Sequence, residues 1–280
     1  MCGISGIINK NGNLVDKGEI QKINDLIVHR GPDDEGFYIE KNFAFGHRRL
    51  SILDLSSDGH QPMHYLDKYV ITYNGEVYNY LEIKEELLKD GYIFYSHTDT
   101  EVILASYDKW GEDCVNRFNG MWSFAIYDKE KQILFCSRDR FGVKPFYYIF
   151  TNEKFVFGSE IKQLLSYTNC SVNKEILLDY LVTGFQDFTN DTFFRSIKKL
   201  DASHNLIYDL NKNNFFIKRY YTINVNEGIK NIEENVVIDK YKNSLSNSIK
   251  LRLRSDVRVG TCLSGGLDSS TITALASNFY

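Results

Sequence analysis

The sequence predicts an α+β fold in which antiparallel β-sheets are stacked on each other and covered by helices. Many short runs of β-branched and aromatic residues predict strands, whereas few segments have the apolar spacing of a helix. The helical segments are clustered between groups of strands, which favours separate layers over an alternating parallel sheet. The 19 tyrosines and 19 phenylalanines suit a core that is built on sheets.

The composition excludes several classes of protein. A chain of 280 residues is long enough for two domains, and its 43% hydrophobic and 25% charged residues are typical of a soluble protein. A net charge of −4 gives no support to nucleic-acid binding. No apolar run approaches the ~20 residues of a membrane span, and no secretory signal opens the chain. Five scattered cysteines without CxxC spacing argue for a reducing compartment. We therefore expect a cytoplasmic protein without nucleic-acid or membrane partners.

The N-terminus carries a candidate nucleophile, Cys2. Removal of Met1 would leave a residue with a thiol and a free α-amine, which is a nucleophile with its own base. The usual pKa values of these groups, about 8.5 and about 8, both lie near working pH. A short buried strand that starts directly after Cys2 and Gly3 would hold the terminal residue in place. The alternative is a small buried cysteine near a terminus.

The other elements of the first domain follow from apolar spacing and turn residues. The predicted helices are 17–28, 80–89, 99–110 and 174–184. The predicted strands lie within 4–8, 43–55, 69–73, 120–127, 132–138, 146–150 and 155–158. After residue 184 the sequence becomes rich in Asn, Lys and Glu, so we place a domain junction across about 215–235.

Three positions in these elements are further candidates for a site. Arg49 lies in a mostly apolar run and is suited to a bidentate clamp on a carboxylate, with a structural ion pair as the alternative. Asn74-Gly75 is a hairpin-turn signal, yet a helix rather than a return strand follows it. A side-chain amide next to a backbone N–H would then offer two donors to an oxyanion. Asp99 opens a helix, and capping by Thr98 or Asp99 is one explanation for it.

The last segment has the order helix, strand, glycine-rich loop, helix. A helix over 238–254 precedes a predicted strand at Val257–Leu263, and the loop Ser264–Ser270 leads into another helix. Backbone N–H groups and the positive helix end of such a loop face an anion. The Gly-Lys-Ser/Thr ending of a Walker loop is missing, so the loop suits the pyrophosphate released when ATP adenylates a carboxylate. A plain Gly/Ser turn is the alternative.

Seven motifs in this order resemble those of the glutamine-hydrolysing asparagine synthetases, and the resemblance covers nearly the whole chain. The motifs are Cys2-Gly3-Ile4, His29-Arg30-Gly31-Pro32-Asp33, Arg49-Leu50-Ser51-Ile52, Asn74-Gly75-Glu76-Val77-Tyr78-Asn79, Asp99-Thr100-Glu101, 138–145 and 264–270. The resemblance implies a class II, N-terminal-nucleophile glutaminase domain with four α/β/β/α layers over 2–215. It implies a linker over 216–235 and, over 236–280, the beginning of an α/β parallel-sheet ATP-pyrophosphatase domain.

The resemblance implies glutaminase chemistry at Cys2. The sulfur attacks the side-chain amide of glutamine, forms a glutamyl thioester and releases ammonia, while the α-amine moves the protons directly or through water. Asn74 and Gly75 are the implied oxyanion hole, Arg49 the clamp on the α-carboxylate, and Asp99 the partner of the α-ammonium. The residues implied to bind glutamine are Arg49, Ile52, Leu53, Asn74, Gly75, Glu76 and Asp99.

The resemblance also implies a second reaction that uses ATP and Mg²⁺. Ammonia would amidate an aspartyl-adenylate made from aspartate and ATP. Leu263 would lie near the nucleotide, and Asp268 would help to hold the metal ion. The residues implied to bind ATP are Leu263, Ser264, Gly265, Gly266, Leu267, Asp268, Ser269 and Ser270. The implied substrates are glutamine, aspartate and ATP, and a homodimer is left open.

Two departures from the family pattern leave other functions open. The stretch Leu200–His204 replaces the usual Pro-Gly turn, and 236–280 is too short for a complete parallel-sheet domain. We therefore expect the 280-residue chain to hydrolyse glutamine without making asparagine. One alternative is a glutaminase-like remnant or binding module without synthetase activity. Another is a related amidotransferase that acts on a different carboxylate, because the acceptor-selecting residues are expected beyond Tyr280.

Overall fold

The structure, a computed structural model, describes residues 1–186, 188–224 and 232–279 and divides into two units, Met1–Tyr221 and Thr222–Tyr280. The strands of the first unit are β1 (Gly3–Asn9), β2 (Asp34–Glu40), β3 (Phe43–Arg49), β4 (Met63–Tyr65), β5 (Tyr69–Val77), β6 (Gly120–Asp128), β7 (Ile133–Arg138), β8 (Tyr147–Phe150), β9 (Lys154–Gly158), β10 (Ile197–Lys199), β11 (His204–Asp209) and β12 (Asn214–Arg219). Its helices are α1 (Lys17–Asp25), α2 (Tyr80–Lys89), α3 (Asp99–Trp110) and α4 (Lys174–Thr183).

Two six-stranded antiparallel sheets are the centre of the first unit. Their strand orders are β10-β8-β9-β1-β3-β2 and β12-β11-β7-β6-β5-β4. Apolar side chains of the two sheets share one core, in which Ile4, Phe43 and Phe157 of the first sheet meet Tyr127 and Leu206 of the second. Burial of these aromatic and aliphatic faces is the main force that holds the sheets together.

Helices cover both outer faces of this sandwich. Ile20 and Ile23 of α1 pack in one cluster with Ile7 of the first sheet. Leu87 of α2 and Val102 of α3 pack in another cluster with the second sheet. The predicted α/β/β/α order of layers is thereby confirmed.

The hairpin interpretation of Asn74-Gly75 is wrong, because β5 runs through both residues. Asn74 pairs with Ser123 and Gly75 with Trp122 of β6, so both residues are extended in the middle of a sheet. A Cβ atom at Gly75 would lie 2.2 Å from the Met121 carbonyl oxygen. Glycine is therefore required here by the close approach of the neighbouring backbone rather than by a turn.

The second unit contains α5 (Glu234–Arg252) and α6 (Leu267–Ala276). The strand predicted at Val257–Leu263 is wrong, since no ladder forms there. A strand needs a partner, and none of the other described residues of this unit is a strand. The predicted linker, 216–235, overlaps the end of β12 and the start of α5, and its residues 225–231 lie outside the described residues.

The described helices include no candidate for a membrane span, since none combines sufficient length with sufficient hydropathy.

Candidate active site

A cavity of about 360 Å³ in the first unit contains every residue that was predicted to bind glutamine or to act on it. These residues are Cys2, Arg49, Ile52, Leu53, Asn74, Gly75, Glu76 and Asp99. They come from the start of β1, the end of β3 and the loop after it, β5, and the start of α3. A larger cavity of about 740 Å³ near Met63–Leu66 contains none of them. The structure thus brings the predicted residues together, and their individual roles stay proposals.

Cys2 lies immediately before β1, a central strand that pairs with β3 and β9 on either side. Its Sγ accepts a hydrogen bond from the Leu50 N–H at 3.3 Å, and Arg30 Nε donates to its carbonyl oxygen at 3.0 Å. Burial raises the pKa of the Cys2 thiol, while the Leu50 bond and the nearby positive charges, including Arg49 and Lys144, oppose this effect. The thiol therefore needs a base to become a nucleophile at neutral pH.

Met1 decides whether Cys2 has such a base. While Met1 is attached, the free α-amine belongs to Met1 and the nitrogen of Cys2 is an amide. Burial lowers the pKa of the terminal α-amine, and the charges of Arg30 and Lys144 lower it further. The surroundings of the N-terminus therefore favour the unprotonated form of the amine, which is the form that can accept a proton.

Asn74 supplies a buried hydrogen-bond donor to the cavity. The residue is 1% exposed, and its Nδ2 has no hydrogen-bond partner among the described residues. An unpaired buried donor is costly and rare, and such groups are concentrated at functional sites. Gly75 follows Asn74 on β5 and lines the same cavity. This donor is the feature expected of an oxyanion hole before a ligand binds.

Arg49 organises the loop on one side of the cavity. Its Nη1 donates to the Ser56 carbonyl at 2.9 Å, and its Nη2 donates to the carbonyls of Leu53 at 3.3 Å and of Asp54. A Cβ atom at Gly59 would lie 1.8 Å from Nη2, so the loop closes tightly over the guanidinium. The structural alternative considered for Arg49 was an ion pair, but these partners are backbone carbonyls. Arg49 also lines the cavity, and its role as a clamp on a carboxylate stays a proposal.

Asp99 is the first residue of α3, and the residue is 4% exposed. The N-cap is Thr98, whose hydroxyl accepts from the Glu101 N–H, so capping does not explain Asp99. Its Oδ2 accepts from the Val77 N–H at 2.8 Å and from the Tyr73 hydroxyl at 2.7 Å. Burial raises the pKa of Asp99 to about 6 against these two bonds. A cationic ligand would restore the charged form.

Glu76 is the second carboxylate of the cavity. Burial raises the pKa of Glu76 to about 7, the negative charge of Asp99 raises it as well, and Lys144 acts in the opposite direction. A site with two carboxylates and a raised pKa at each is prepared for a positively charged group of the ligand.

Glutamine at position 76 is expected to remove a dependence of stability on pH. The raised pKa of Glu76 means that the folded state binds the proton more tightly than the unfolded chain, so stability falls as pH rises from about 4 through 7. Relative to the parent protein, Glu76→Gln should therefore gain about 2 kcal/mol of unfolding free energy between pH 4 and pH 8. Denaturant unfolding at both pH values measures this gain. An equal change in the free energy of unfolding between pH 4 and pH 8 in the two proteins would contradict this expectation.

Sequence reasoning missed Arg30 and Lys144. Arg30 lies in the motif His29–Asp33, which reads as a turn after a helix, but its side chain reaches Cys2. Lys144 lies in a loop that was described only as rich in charge, yet it is 5% exposed and lines the cavity. Both residues could have been found from the sequence, because each is a charged residue within one of the seven motifs that carry the resemblance.

Asp139 orders the loop that carries Lys144. Its carboxylate is buried and accepts the N–H groups of Phe141 at 3.1 Å, Val143 at 3.0 Å, Lys144 at 2.9 Å and Trp122 at 3.2 Å. The Ser203 N–H in turn donates to the Asp139 carbonyl, so the stretch that replaces the Pro-Gly turn is joined to this loop.

Removal of the Asp139 carboxylate is expected to destabilise the first unit. Asp139→Ala leaves four N–H groups without an acceptor, of which those of Trp122 and Lys144 are buried, and should lower the free energy of unfolding by about 3 kcal/mol. Denaturant unfolding measures this loss. Asp209→Ala is the matched control, because its carboxylate accepts two N–H groups in a solvated turn, and it should change little. Equal losses for the two variants would contradict the account.

The loop 264–270 of the second unit is an exposed, glycine-containing loop that leads into the N-terminus of α6. Gly265 has φ +83°, Gly266 is the N-cap of α6, and a Cβ atom at Gly265 would meet nothing within 4 Å. Ser264 Oγ and Ser269 Oγ lie 3.0 Å apart across the loop. The exposed N-terminus of α6 leaves room for an anion, and phosphate binding by this loop stays a proposal. Asp268 is an exposed carboxylate in the first turn of α6, and the described residues contain no cluster of three or more metal-ligating side chains.

The two sheets between layers of helices, with a cysteine immediately before a central strand, form a fold that is also found in a solved amidotransferase structure. The solved structure of glutamine phosphoribosylpyrophosphate amidotransferase from Bacillus subtilis, complexed with ADP and GMP, matches with a TM-score of 0.59 at 15% identity. The match covers 99% of this chain and 64% of that one. At this identity the likeness shows the fold.

The chain belongs to the glutamine amidotransferase domain family, whose model matches residues 1–221. Residues 240–280 match the model of asparagine synthase. A putative glutamine-hydrolysing asparagine synthetase 2 from Methanocaldococcus jannaschii is 45% identical over 100% of this chain and 57% of its own length. Glutamine-hydrolysing asparagine synthetase 1 from Bacillus subtilis is 37% identical over 100% of this chain and 44% of its own length. The chain thus spans about half the length of these curated relatives.

Proposed function

We propose that the first unit hydrolyses L-glutamine to glutamate and ammonia, with Cys2 as the nucleophile. The observation that carries this proposal is a single cavity that holds the Cys2 thiol, an unpaired Asn74 amide and two carboxylates with raised pKa values. The family match over residues 1–221 supports the same chemistry. The reaction class is acyl transfer through a thioester.

The first half of the reaction forms the thioester. After Met1 is removed, the α-amine of Cys2 accepts the thiol proton, directly or through water, and the thiolate attacks the side-chain carbonyl carbon of glutamine. The carbonyl oxygen becomes an oxyanion, to which Asn74 Nδ2 and the Gly75 N–H donate hydrogen bonds. The α-ammonium then returns the proton to the leaving nitrogen, the carbon–nitrogen bond breaks, and ammonia departs.

The second half of the reaction consumes one water. The α-amine accepts a proton from water, and the hydroxide attacks the thioester carbon, so that the oxyanion forms again at the same donors. The carbon–sulfur bond breaks, the thiol regains its proton, and glutamate leaves. The two donors therefore act in both halves of the reaction.

The amino-acid end of glutamine is recognised by charge. Arg49 binds the α-carboxylate, and Asp99, with Glu76 nearby, binds the α-ammonium. The ligand charge lowers the pKa of both carboxyl groups, which offsets part of their burial. Backbone of Ile52 and Leu53, in the loop ordered by Arg49, completes the pocket.

The longer protein is proposed to use this ammonia to make asparagine from aspartate and ATP. The match of 240–280 and the names of the relatives support this assignment. The loop Ser264–Ser270 would hold the phosphates of ATP, with Leu263 near the nucleotide and Asp268 directed to Mg²⁺. ATP supplies activation of the aspartate carboxylate as its adenylate. Five free cysteines suit the reducing cytoplasm as the place of action.

Incubation of the purified chain with glutamine tests the glutaminase proposal. Glutamate and ammonia should form in equal amounts, and Cys2→Ala should form neither above background. Intact mass should show a chain that lacks Met1. A processed and folded chain without glutaminase activity would overturn the proposal.

A further inference from the structure

Lys144 is a buried cation whose side-chain contact depends on an unprocessed N-terminus. The residue is 5% exposed, although lysines are rarely buried without a charged partner. Its Nζ donates to the Met1 Sδ at 3.2 Å, and among the described residues it makes no ion pair within 4 Å. Removal of Met1 takes this thioether away and places the new α-amine of Cys2 in the same region. The ammonium is then left beside the nucleophile.

The backbone of Lys144 is held on both sides. Its N–H donates to the Asp139 carboxylate at 2.9 Å, and its carbonyl accepts from Arg138 Nε at 2.8 Å. Arg138 also donates to the carbonyls of Gly142 at 2.7 Å and Leu200 at 2.6 Å. A lysine on so constrained a loop delivers its charge to a defined place, which an exposed lysine on a flexible stem does not.

We propose that Lys144 is a positioning residue for the proton transfer at Cys2, because its ammonium keeps the neighbouring α-amine in the unprotonated form that accepts the thiol proton. This inference rests on the proposed glutaminase function and deepens it. Two positive charges close together repel, so the protonated amine is disfavoured while Lys144 keeps its own charge. No electron is transferred, and the thiol proton moves to the α-amine and later to the leaving nitrogen.

Burial and the charged groups on the neighbouring elements together set the pKa of Lys144. Burial lowers the pKa of the Lys144 ammonium, and the guanidinium of Arg30, which follows α1, lowers it as well. Glu76 on β5, the thiolate of Cys2 and Asp139 on its own loop oppose this shift. Burial also lowers the pKa of the terminal α-amine, and an α-amine is ordinarily a weaker base than a lysine by about two pH units, so Lys144 holds the proton and the α-amine stays neutral.

The pH dependence of glutamine hydrolysis tests this inference. Lys144→Met keeps an unbranched side chain that is one atom shorter and removes its charge, so the α-amine should become more basic. The acid limb of kcat/KM should move up by about one pH unit, which is about a tenfold loss on the acid side, and the curves should converge at alkaline pH. Lys144→Arg should keep the limb of the parent protein. Lys89→Met, which removes the same charge from the exposed end of α2, is the control and should leave the profile unchanged.

A second readout does not depend on turnover. In protein labelled with [¹⁵N]cysteine, the titration midpoint of the Cys2 α-amine should also rise by about one pH unit in Lys144→Met. A uniform loss of activity with both midpoints unmoved would overturn the inference and assign Lys144 a structural role. A processed parent protein that does not hydrolyse glutamine would instead overturn the proposed function. If Lys144→Met does not fold, Lys144→Arg still tests the inference. This variant retains the positive charge, so an acid limb of kcat/KM that moves by one pH unit would contradict the inference.

Discussion

Alanine at position 74 is expected to lower kcat for glutamine hydrolysis by about 10² to 10³-fold, with KM nearly unchanged. Asn74 Nδ2 is buried and has no hydrogen-bond partner in the part of the chain that the structure describes, so this N–H group is free to donate to the oxyanion. A donor that is used only in the transition state affects kcat rather than ground-state binding. Steady-state kinetics of Asn74→Ala measure this split.

Asn205→Ala is the matched control for Asn74→Ala. Asn205 is also a buried asparagine in the same sheet, on β11, and its Oδ1 has no partner among the described residues. It lies outside the cavity lining. Its loss should therefore affect stability and leave kcat within about twofold. Similar kinetic losses in the two variants would point to a general effect on the sheet and against an oxyanion role for Asn74.

Asparagine at position 99 is expected to raise KM for glutamine roughly a hundredfold. The change keeps the shape of Asp99 and its place at the start of α3, but removes the charge that is proposed to bind the α-ammonium. Because burial already raises the pKa of Asp99, a neutral amide should cost the folded protein little at neutral pH. Initial rates across glutamine concentration, with unfolding measured in parallel, separate binding from stability.

Asp108→Asn provides the comparison on the same helix. Asp108 also accepts hydrogen bonds from tyrosine hydroxyls, those of Tyr69 and Tyr92, but it lies outside the cavity lining. Its variant should leave KM unchanged. A glutamine analogue without the α-amino group sharpens the test, because the parent protein should reject it and Asp99→Asn should discriminate far less. Undiminished discrimination in Asp99→Asn would contradict the assigned role.

Local sequence signals predicted the elements that begin and end at capping or turn residues. Helix α3 was predicted at 99–110, the range that the structure gives, because Thr98 caps its start and Gly111 follows its end. Strands β2, β4, β10, β11 and β12 were missed. In β2 and β12 charged residues flank an apolar run of only three residues, and the register with β3 and β11 holds these strands extended. Pairing across a sheet is a long-range property, which a turn signal such as Asn74-Gly75 does not overcome.

The candidate site was more predictable than the fold around it. The eight glutamine-site residues were named from motifs, and the topology collects them in one cavity. Lys144 was not found because a charged loop normally faces solvent, and its burial follows from contacts with Asp139 and Arg138. The strand predicted at Val257–Leu263 failed for the converse reason, since its apolar pattern has no partner strand in the described part of the second unit.

Covalent capture of the nucleophile is the most direct test of the central claim that the sulfur of Cys2 attacks glutamine. The processed protein should be incubated with an electrophilic glutamine analogue that carries a γ-diazoketone, and the labelled peptide identified by mass spectrometry. The account predicts one adduct per chain on the sulfur of the N-terminal Cys2, formed more slowly in the presence of glutamine. Cys170 and Cys262 are exposed and should stay unlabelled as internal controls. Full glutaminase activity in a protein whose Cys2 sulfur takes no label, or equal labelling of the exposed cysteines, would contradict it.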